Sequence, residues 1–552
     1  MNKYPSNGNN YPGGVIMFRS KAGKNIVIIA VLFALCGTGL IIQLTRINFN
    51  RDYYSAFDLS APREVTLVCS YGDIYDRHGE PLVNTEETYI AAINPDTADR
   101  AELDEKITDR DKYESCIDGS ALFLCEVNTK DISSADVITV KKRYSEDQPA
   151  AHIIGYTGEE CGVCGLEMGY DDILRQPRST VTLIYSTDAK GDMLEGSGLS
   201  LKYTSSYETG LLTSIDKDIQ QICEKAMANV EKGAAIVMDI ATGELCAVVS
   251  KPVFDPIYPE NSLDSTDSPF INRAFSAYSV GSIFKLITAG AAVEYGISDS
   301  YSYNCTGSIR IRQNEFGCHL FGGHGNLNMR MAMVQSCNPY FIALGRDIPT
   351  DILHDFAEKA GFGSQTRLCS GIYSASGYLT SEEELAVPEE KANFCFGQGK
   401  LTATPLQITL LTAAIANEGM EPKPILVHGT TDIAHESAAA AIAPAFERVM
   451  ERSTADKLRS FMISTIYKDN STAVPEHTTG GGKTSTAQTW TYDEYGREKL
   501  NCWFTGFFPA IKPRYAVTIM IEEGVSGNLT CGPVFKEIAD EVFLMESSAY
   551  QG

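Results

Sequence analysis

The chain has 552 residues, 43% of them hydrophobic and 21% charged, a composition typical of a globular protein that is too long for a single core. Its formal net charge of −25 argues against nucleic acid as a partner, because phosphate binding requires a basic face. A local basic groove can still bind a small anionic substrate on such a chain. We therefore expect two or more folded units with an acidic exterior.

The N-terminal region has the charge pattern of a membrane anchor. Residues 1–24 contain four basic residues and no acidic one, and residues 25–45 contain no charged residue. About 20 helical residues span the hydrocarbon core of a bilayer, and basic residues favour the cytoplasmic side. We therefore predict a cytoplasmic tail at 1–24, an uncleaved single-pass transmembrane anchor at 25–45, and an extracytoplasmic remainder. A cleaved signal peptide is the alternative, but its apolar region is usually shorter.

Beyond the predicted anchor, the pattern of the chain changes once. Residues 46–205 combine short strands with polar loops, whereas helical and strand-like segments alternate from 206 to 552. Thr213–Val230 has helical spacing, Ala234–Asp239 begins a predicted hairpin, and Tyr515–Ile521 is the clearest buried strand. We therefore predict an α+β, multidomain protein with one domain at 46–205 and a second at 206–552.

A serine and a lysine three residues apart follow a glycine in Gly281-Ser282-Ile-Phe-Lys285. Residues at this spacing share one face of a helix, so the amine can reach the hydroxyl. Burial would lower the pKa of the lysine and let it act as a base toward the serine. The pattern Ser-x-x-Lys also occurs by chance, so an unrelated surface serine and lysine is the simpler interpretation of this motif alone.

Two further motifs follow along the chain. Ser336-Cys-Asn338 offers a hydroxyl that could relay a proton and an amide that could hold a substrate backbone. Lys483-Thr-Ser-Thr486 follows three glycines and predicts a strand edge on which a peptide could pair and a terminal carboxylate could bind. Taken singly, these motifs are an ordinary turn and a glycine-rich entry to a strand. Together with the first motif, their order indicates acyl transfer through a serine ester.

The three motifs in this order resemble those of penicillin-binding proteins, the membrane-anchored transpeptidases of the cell wall. Upstream, Gly72–Gly79 and Gly165-Leu-Glu167 resemble the pedestal motifs of class B, and no glycosyltransferase domain is recognisable before them. The resemblance therefore implies a class B protein, with a pedestal domain followed by a transpeptidase domain whose central antiparallel sheet is flanked by helices. Further similar segments are Ile215-Asp216, Thr242-Gly243-Glu244, Asn272-Arg273-Ala274, Gly397-Gln398-Gly399 and Thr404-Pro405-Leu406-Gln407.

The resemblance also implies a role for each motif residue. Ser282 resembles the nucleophile that takes the acyl group from a stem peptide ending in D-Ala-D-Ala, and Lys285 resembles its general base. An amine of a neighbouring stem then attacks the ester and forms a cross-link, and β-lactams leave a stable ester on the same serine. The other implied residues are Ser336, Asn338 and Lys483 in catalysis, Thr484, Ser485 and Thr486 in substrate binding, and the backbone N–H groups of Ser282 and Thr486 as the oxyanion hole.

Three positions depart from the family pattern. Val280 stands where proline is common, Tyr71 stands where arginine often precedes the pedestal motif, and the family usually has glycine where this chain has Ser485. A side chain there could crowd a ligand or alter the twist of the strand. We therefore expect Ser485 to change the affinity for β-lactams.

Three other functions stay open. A D,D-carboxypeptidase or β-lactamase would share the serine ester but let water attack it, and a penicillin sensor would need further membrane helices. A catalytically idle scaffold is disfavoured, because all the active-site side chains are present. The resemblance implies stem peptides, β-lactams, the membrane and a membrane glycosyltransferase polymerase of the shape, elongation, division or sporulation type as partners.

The segment between the first two motifs contains Cys305, Cys318, His319 and His324. Two thiols and two imidazoles could bind zinc, or the two cysteines could form a disulfide in an extracytoplasmic compartment. Most of the 15 cysteines lie in apolar stretches and are interpreted as small buried residues. We predict free thiols and no metal or other cofactor, with zinc and a disulfide as the alternatives.

Overall fold

The computed structural model describes residues 21–49, 62–188, 193–194, 198–205, 210–298, 300–431 and 442–549. Two compact units contain these residues: one comprises those within Met1–Leu67, Tyr89–Ile138 and Val181–Tyr203, and the other those within Val68–Thr88, Thr139–Thr180 and Thr204–Gly552. Each unit comprises three separate segments of the chain, whereas the sequence pattern predicts two continuous domains. The predicted limits 46–205 and 206–552 stay predictions, and residues 1–20 of the predicted tail lie outside the described residues.

The elements of the described residues are the following. The helices are α1 (Lys21–Phe49), α2 (Arg100–Lys106), α3 (Arg110–Cys116), α4 (Ala151–Ile154), α5 (Gly165–Gly169), α6 (Asp171–Leu174), α7 (Lys217–Ala226), α8 (Lys285–Glu294), α9 (Met329–Val334), α10 (Asn338–Arg346), α11 (Thr350–Lys359), α12 (Glu382–Leu385), α13 (Pro388–Phe394), α14 (Pro405–Ala416), α15 (Arg452–Ile466) and α16 (Gly532–Ala549). The strands are β1 (Pro62–Tyr71), β2 (Ile74–Tyr75), β3 (Glu86–Ile93), β4 (Phe123–Val127), β5 (Asp136–Lys142), β6 (Pro177–Ser186), β7 (Ser200–Ser205), β8 (Gly210–Thr213), β9 (Gly233–Asp239), β10 (Leu245–Lys251), β11 (Tyr278–Ser279), β12 (Ser302–Cys305), β13 (Ser308–Ile311), β14 (Asn314–Gly317), β15 (Gly325–Asn328), β16 (Arg367–Cys369), β17 (Ile372–Tyr373), β18 (Thr402–Ala403), β19 (Met420–Pro422), β20 (Val427–Thr431), β21 (Phe446–Arg448), β22 (Gly481–Tyr492), β23 (Glu498–Phe508) and β24 (Tyr515–Glu522).

Helix α1 covers the segment predicted as a membrane anchor, 25–45. Judged on the residues that the structure describes, no helix combines the length and the hydropathy needed to cross a membrane.

The smaller unit has a core between one sheet and two short helices. Strands β4, β3 and β5 pair in that order. Ile93 on β3 and Val127 on β4 pack against Leu103 of α2 and Tyr113 of α3 in one buried cluster. The side chain of Asp99 caps α2 by accepting hydrogen bonds from two backbone N–H groups of its first turn.

The larger unit is built on a five-stranded sheet with the order β10-β9-β24-β23-β22, in which every neighbouring pair is antiparallel. Both faces are covered: Val237 of β9 packs in a cluster with α7 and α16, while Ile236 packs in a second cluster with α8 and α14. Successive side chains of a strand point to opposite faces, so a doubly covered strand is apolar along most of its length, as β9 is from Gly233 to Met238. This explains why all seven residues of β9 are buried.

The sequence predicted much of this sheet. The hairpin beginning at Ala234–Asp239 is confirmed as β9 and β10, and the buried run Tyr515–Ile521 is confirmed as β24. The helix suggested by the spacing of Thr213–Val230 is shorter and spans only α7. Its first residues instead form the end of β8, and the side chain of Asp216 accepts a hydrogen bond from the N–H of Ile219 and begins the helix there.

Candidate active site

Ser282 lies in a 3-10 turn, Gly281–Phe284, that runs directly into the buried helix α8. Gly281 has φ +64°, and a Cβ atom at this position would lie 2.5 Å from the Oγ atom of Ser485. The N–H of Gly281 donates to the carbonyl oxygen of Gly397 at 2.8 Å, and Gly397 itself has φ +80°. Glycine is needed at both positions because the backbone is left-handed and closely packed. The Gly397-Gln-Gly399 segment thereby holds the turn that carries the serine.

Lys285 is fully buried one turn beyond Ser282. Its Nζ atom lies 2.9 Å from Ser282 Oγ, 2.6 Å from Asn338 Oδ1, 2.7 Å from the carbonyl oxygen of Ser336 and 3.1 Å from Ser336 Oγ. Burial lowers the pKa of Lys285 to about 7. An amine with this pKa is partly neutral near neutral pH, so it can take a proton from the serine.

The second and third motifs meet at the hydroxyl of Ser336. Lys483 Nζ lies 3.2 Å from Ser336 Oγ and donates to the carbonyl oxygen of Thr484 at 2.8 Å. Ser336 has φ +51°, an uncommon conformation for a serine, which places its hydroxyl between the two lysines. Burial and the neighbouring ammonium groups of Lys285 and Lys468 hold the pKa of Lys483 well below its usual range.

Strand β22 presents the third motif at the end of the central sheet. It is the terminal strand in the order β10-β9-β24-β23-β22, so alternate backbone N–H and C=O groups face away from β23. Thr484 is half-buried and Thr486 is exposed, whereas the alternate residues Lys483 and Ser485 are buried. An extended peptide can pair with such an edge.

Ser485 points into the protein. Its side chain is 2% exposed, and its Oγ atom donates to the carbonyl oxygen of Val280 at 2.7 Å. The hydroxyl therefore ties β22 to Val280, two positions before Ser282. The expected effect of Ser485 on β-lactam affinity stays a prediction. The buried side chain points away from the open face of the strand, so it does not clash directly with a ligand there.

The residues that immediately precede the two predicted oxyanion-hole residues, Ser282 and Thr486, are in contact with each other. Gly281 packs against Ser485 and Ala487, the residues on either side of Thr486. The hydroxyl of Thr486 accepts a hydrogen bond from the N–H of Gly527 at 3.1 Å. This contact fixes the outer side of the strand beside Ser282.

The structure thus brings all the sequence-predicted site residues together. Ser282, Lys285, Ser336, Asn338 and Lys483 are linked by hydrogen bonds, and Ser485, which lies between Thr484 and Thr486, packs against the turn of the serine. The arrangement can deprotonate a serine, relay a proton and hold an anion. The chemical roles assigned to the individual residues stay predictions.

Sequence reasoning missed Lys468 and its surroundings. Lys468 follows the end of α15, and burial lowers its pKa. His319 lies near the same lysines: burial and then His324 lower its pKa to about 4, with further contributions from Lys285, Lys468 and Lys483. Spacing did not indicate Lys468, and it indicated His319 only as a possible zinc ligand, because each residue reaches the lysines of the site through tertiary packing.

A cluster of thiols lies next to the second motif. The donor atoms of Cys305, Cys318, His324 and Cys337 all lie within 4.8 Å of one another, and Cys318 Sγ lies 3.3 Å from His324 Nδ1. Three thiolates and one imidazole form a donor set typical of structural zinc. Bonds of about 2.3 Å to a tetrahedral zinc would separate the donors by roughly 3.8 Å, so small side-chain rotations would suffice.

This cluster differs from the set considered in the sequence. His319 is not part of it, and Cys337, which lies inside the Ser-x-Asn motif, takes the fourth position. The sequence signal for Cys337 is its position in the second motif, between Ser336 and Asn338 and immediately before α10. All 15 cysteines lie among the described residues, nine of them are buried and none is part of a disulfide, so the possible disulfide between Cys305 and Cys318 is not formed.

The chain is similar to known proteins over the region that contains the site. A family model described as the penicillin binding protein transpeptidase domain matches residues 233–540. Stage V sporulation protein D of Bacillus subtilis is 28% identical over 397 residues, which covers 67% of this chain and 58% of that protein. Peptidoglycan D,D-transpeptidase MrdA of Acinetobacter baumannii is 26% identical over 559 residues, covering 87% of this chain and 81% of that protein.

Solved structures share the fold. The penicillin-binding protein PBP2 of Helicobacter pylori superimposes with a TM-score of 0.66 and 22% identity, covering 88% of this chain and 99% of that one. The ceftriaxone acyl-enzyme complex of penicillin-binding protein A from Mycobacterium tuberculosis gives a TM-score of 0.62 and 21% identity, covering 85% of this chain and 98% of that one.

Proposed function

Because the chain belongs to the penicillin-binding protein transpeptidase family, as a class B member, we propose that it is a peptidoglycan D,D-transpeptidase that cross-links stem peptides through an ester on Ser282. One observation carries this proposal: the Nζ atom of Lys285 lies within hydrogen-bond distance of Ser282, Ser336 and Asn338 at once. A buried amine whose pKa is lowered to about 7 and that lies 2.9 Å from a serine hydroxyl suits a general base.

In the first half-reaction, neutral Lys285 takes the proton of Ser282 as Oγ bonds to the carbonyl carbon of the penultimate D-Ala. The N–H groups of Ser282 and Thr486 bind the negative oxygen that develops. The C–N bond to the terminal D-Ala then breaks, and its amine takes up the proton through Ser336, whose Oγ lies 3.1 Å from Lys285 Nζ. Lys483 and the hydroxyls of Thr484 and Thr486 hold the departing carboxylate.

In the second half-reaction, the amine of a neighbouring stem attacks the ester carbon. Its proton passes to Lys285 and then to Ser282 Oγ, which leaves as the hydroxyl. A β-lactam enters by the first half-reaction but keeps its leaving group tethered, so the ester persists. Support comes from the M. tuberculosis relative, which was solved as a ceftriaxone acyl-enzyme, and from relatives named as D,D-transpeptidases.

The intact mass of the full chain after incubation with penicillin tests the nucleophile. We expect one adduct on the unaltered chain, none on Ser282→Ala, and an unchanged adduct on the control Ser376→Ala. An adduct that persists in Ser282→Ala would contradict the assignment. Incubation with stem-peptide donor and acceptor then separates two activities: cross-linked product supports a transpeptidase, while free D-Ala without cross-linked product indicates a hydrolase.

We also propose that Cys305, Cys318, His324 and Cys337 bind one zinc ion with a structural role. The four donors suit zinc by type and spacing, and the zinc would join the loop that carries Cys318 and His324 to the Ser336-Cys-Asn338 turn. Such a link would restrain the position of Ser336 without taking part in the reaction.

Metal analysis of the full chain, purified with reductant and zinc, tests this site. We expect about one zinc per chain, loss of most of it in Cys337→Ser, and no loss in Cys161→Ser, which changes an exposed thiol elsewhere. Removal of zinc by a chelator should lower the unfolding temperature of the unaltered chain by several degrees. A zinc-free chain with an unchanged unfolding temperature would show that the thiols are simply buried.

We further propose that residues 25–45 anchor the chain in the cell membrane, with the N-terminus in the cytoplasm and the catalytic unit outside. The uncharged segment after four basic residues supports this. Fractionation of cells that produce the full chain or a form lacking residues 1–45 is the test; equal recovery of both forms in the soluble fraction would refute an anchor.

A membrane glycosyltransferase polymerase is the partner that we propose for the anchor and pedestal. The likeness to H. pylori PBP2, which was also solved in complex with MreC, supports membership of a wall-building assembly. Affinity purification of the full chain from its own cells should recover such a polymerase, and recovery that survives removal of residues 1–205 would contradict the proposed contact.

A further inference from the structure

The catalytic strand β22 ends in an irregularity that exposes a tryptophan. The register between β22 and β23 shifts between Gln488 and Tyr492, which is the pattern of a β-bulge. Trp490 lies in this bulge with φ +58°, and 66% of its surface is exposed. The second tryptophan, Trp503, is by contrast completely buried.

The conformation of Trp490 is costly and is held in place. A large side chain in the left-handed region costs on the order of 1–2 kcal/mol, and such residues concentrate where a ligand is bound. The carboxylate of Glu498 accepts hydrogen bonds from the N–H of Trp490 at 3.2 Å and from the side chain of Gln488 at 2.8 Å. Thr489 Oγ1 donates to the carbonyl oxygen of Lys499 at 2.5 Å. These bonds fix the bulge and leave the indole ring facing solvent.

The proposed chemistry sets the direction in which a donor stem lies on this strand. Its terminal carboxylate is held at Lys483 and Thr484, and its scissile carbonyl lies at the N–H of Thr486. The residues before the scissile bond must therefore run from Thr486 toward Gln488 and Trp490.

The distances along the strand place Trp490 beyond the peptide. Trp490 lies four positions after Thr486 in β22, which corresponds to at most about 13 Å because the bulge shortens the strand. The three stem residues before the penultimate D-Ala cover about 10 Å when extended. The group that lies at the level of Trp490 is then the sugar that carries the stem.

Resting on the proposed function, we propose that Trp490 is a substrate-contacting residue whose indole ring packs against the sugar at the base of the donor stem. A sugar ring presents a face of C–H groups that packs well on a flat aromatic ring, while its hydroxyls stay in water. Glu498 acts as the positioning residue, because it holds the backbone of the bulge. The protein would thus distinguish a stem that is attached to glycan from a free stem peptide.

Steady-state kinetics of the full chain with two donors tests this proposal: a disaccharide-pentapeptide and the corresponding free pentapeptide. For Trp490→Ala, we expect KM for the disaccharide donor to rise about five- to 20-fold, with KM for the free peptide unchanged. Trp490→Phe should retain most of the affinity, and Glu498→Ala should show a smaller rise confined to the disaccharide donor. Tyr258→Ala removes a ring that is 55% exposed outside β22 and β23 and serves as the control.

The outcomes are distinguishable from a failure of the proposed function. Acylation of Ser282 by penicillin should be the same in Trp490→Ala and the unaltered chain, because penicillin has no sugar. Equal loss with both donors would show that Trp490 contacts the peptide or only shapes the strand, and no change with either donor would show that the ring is idle; both results overturn the proposal. If the unaltered chain is not acylated by any donor, the proposed function itself has failed.

Discussion

Replacing Lys285 with methionine is expected to slow the acylation of Ser282 by penicillin about 10²- to 10⁴-fold, the usual contribution of a general base. Methionine nearly preserves the volume and length of the lysine stem, and the site is completely buried, so the packing around α8 is retained. The variant removes the Nζ atom that lies 2.9 Å from Ser282 Oγ. The serine then has to lose its proton without a base.

The pH dependence of the unaltered chain follows from the same residue. Burial lowers the pKa of Lys285 to about 7, and only the neutral amine can take the proton of Ser282. The acylation rate should therefore be low at pH 5, rise as the pH passes through about 7, and level off above it. In Lys285→Met, this rise should be absent.

Stopped-flow acylation with a fluorescent penicillin between pH 5 and 9 measures both effects, with unfolding in urea as a check on stability. Lys468→Met is the matched control. It removes a neighbouring, partly buried amine whose pKa is also lowered by burial, but Lys468 is not part of the Ser-x-x-Lys motif of Ser282. This variant should change the rate less than tenfold. A Lys285→Met rate within tenfold of the unaltered rate would show that another group is the base.

The parts of this protein that the sequence could predict are those determined by local chemistry. A glycine before Ser282-Ile-Phe-Lys285 starts a helical turn, and the one-turn spacing delivers the amine to the hydroxyl, as observed at 2.9 Å. The continuous apolar run of β24 indicates a strand covered on both faces, and the structure places it in the middle of the sheet.

The remaining features depend on contacts between distant segments. The direction of the Ser485 side chain is determined by the carbonyl of Val280, 205 residues earlier. Nothing near Cys337 in sequence offers a second ligand, yet folding places it beside Cys305 and Cys318. The bulge at Trp490 depends on Glu498 across the hairpin. In each case the partner residue, and not the local pattern, fixes the geometry.

Replacing Gly281 with alanine is expected to lower the free energy of unfolding by about 3 kcal/mol and to slow acylation about 100-fold. The new Cβ atom would lie 2.5 Å from Ser485 Oγ, and the backbone at φ +64° disfavours any side chain. The turn must move to relieve the overlap, and Ser282 moves with it. Displacement of a nucleophile by a fraction of an ångström is enough to lose the near-attack geometry.

Gly296→Ala separates the two causes. Gly296 has φ +90°, and no atom of the described residues lies within 4 Å of the position that an added Cβ atom would take, so its substitution brings backbone strain without overlap. We expect a loss of about 1 kcal/mol in the free energy of unfolding and no change in the acylation rate.

The double variant Gly281→Ala, Ser485→Gly tests whether the third motif and the nucleophile turn act as one unit. Ser485→Gly alone should leave acylation within a few-fold and cost about 1 kcal/mol through the lost bond to Val280. In the double variant, the overlap with Ser485 Oγ disappears, while the strain at residue 281 and the contact of the new Cβ atom with Ala487 Cβ at 3.1 Å stay, so roughly half of the lost rate should return. Urea unfolding and penicillin acylation of all four chains give the coupling, expected to be about 1–2 kcal/mol. Strict additivity of the two substitutions would show that the turn yields to the methyl group by another route, and that the serine in this motif does not help to position Ser282.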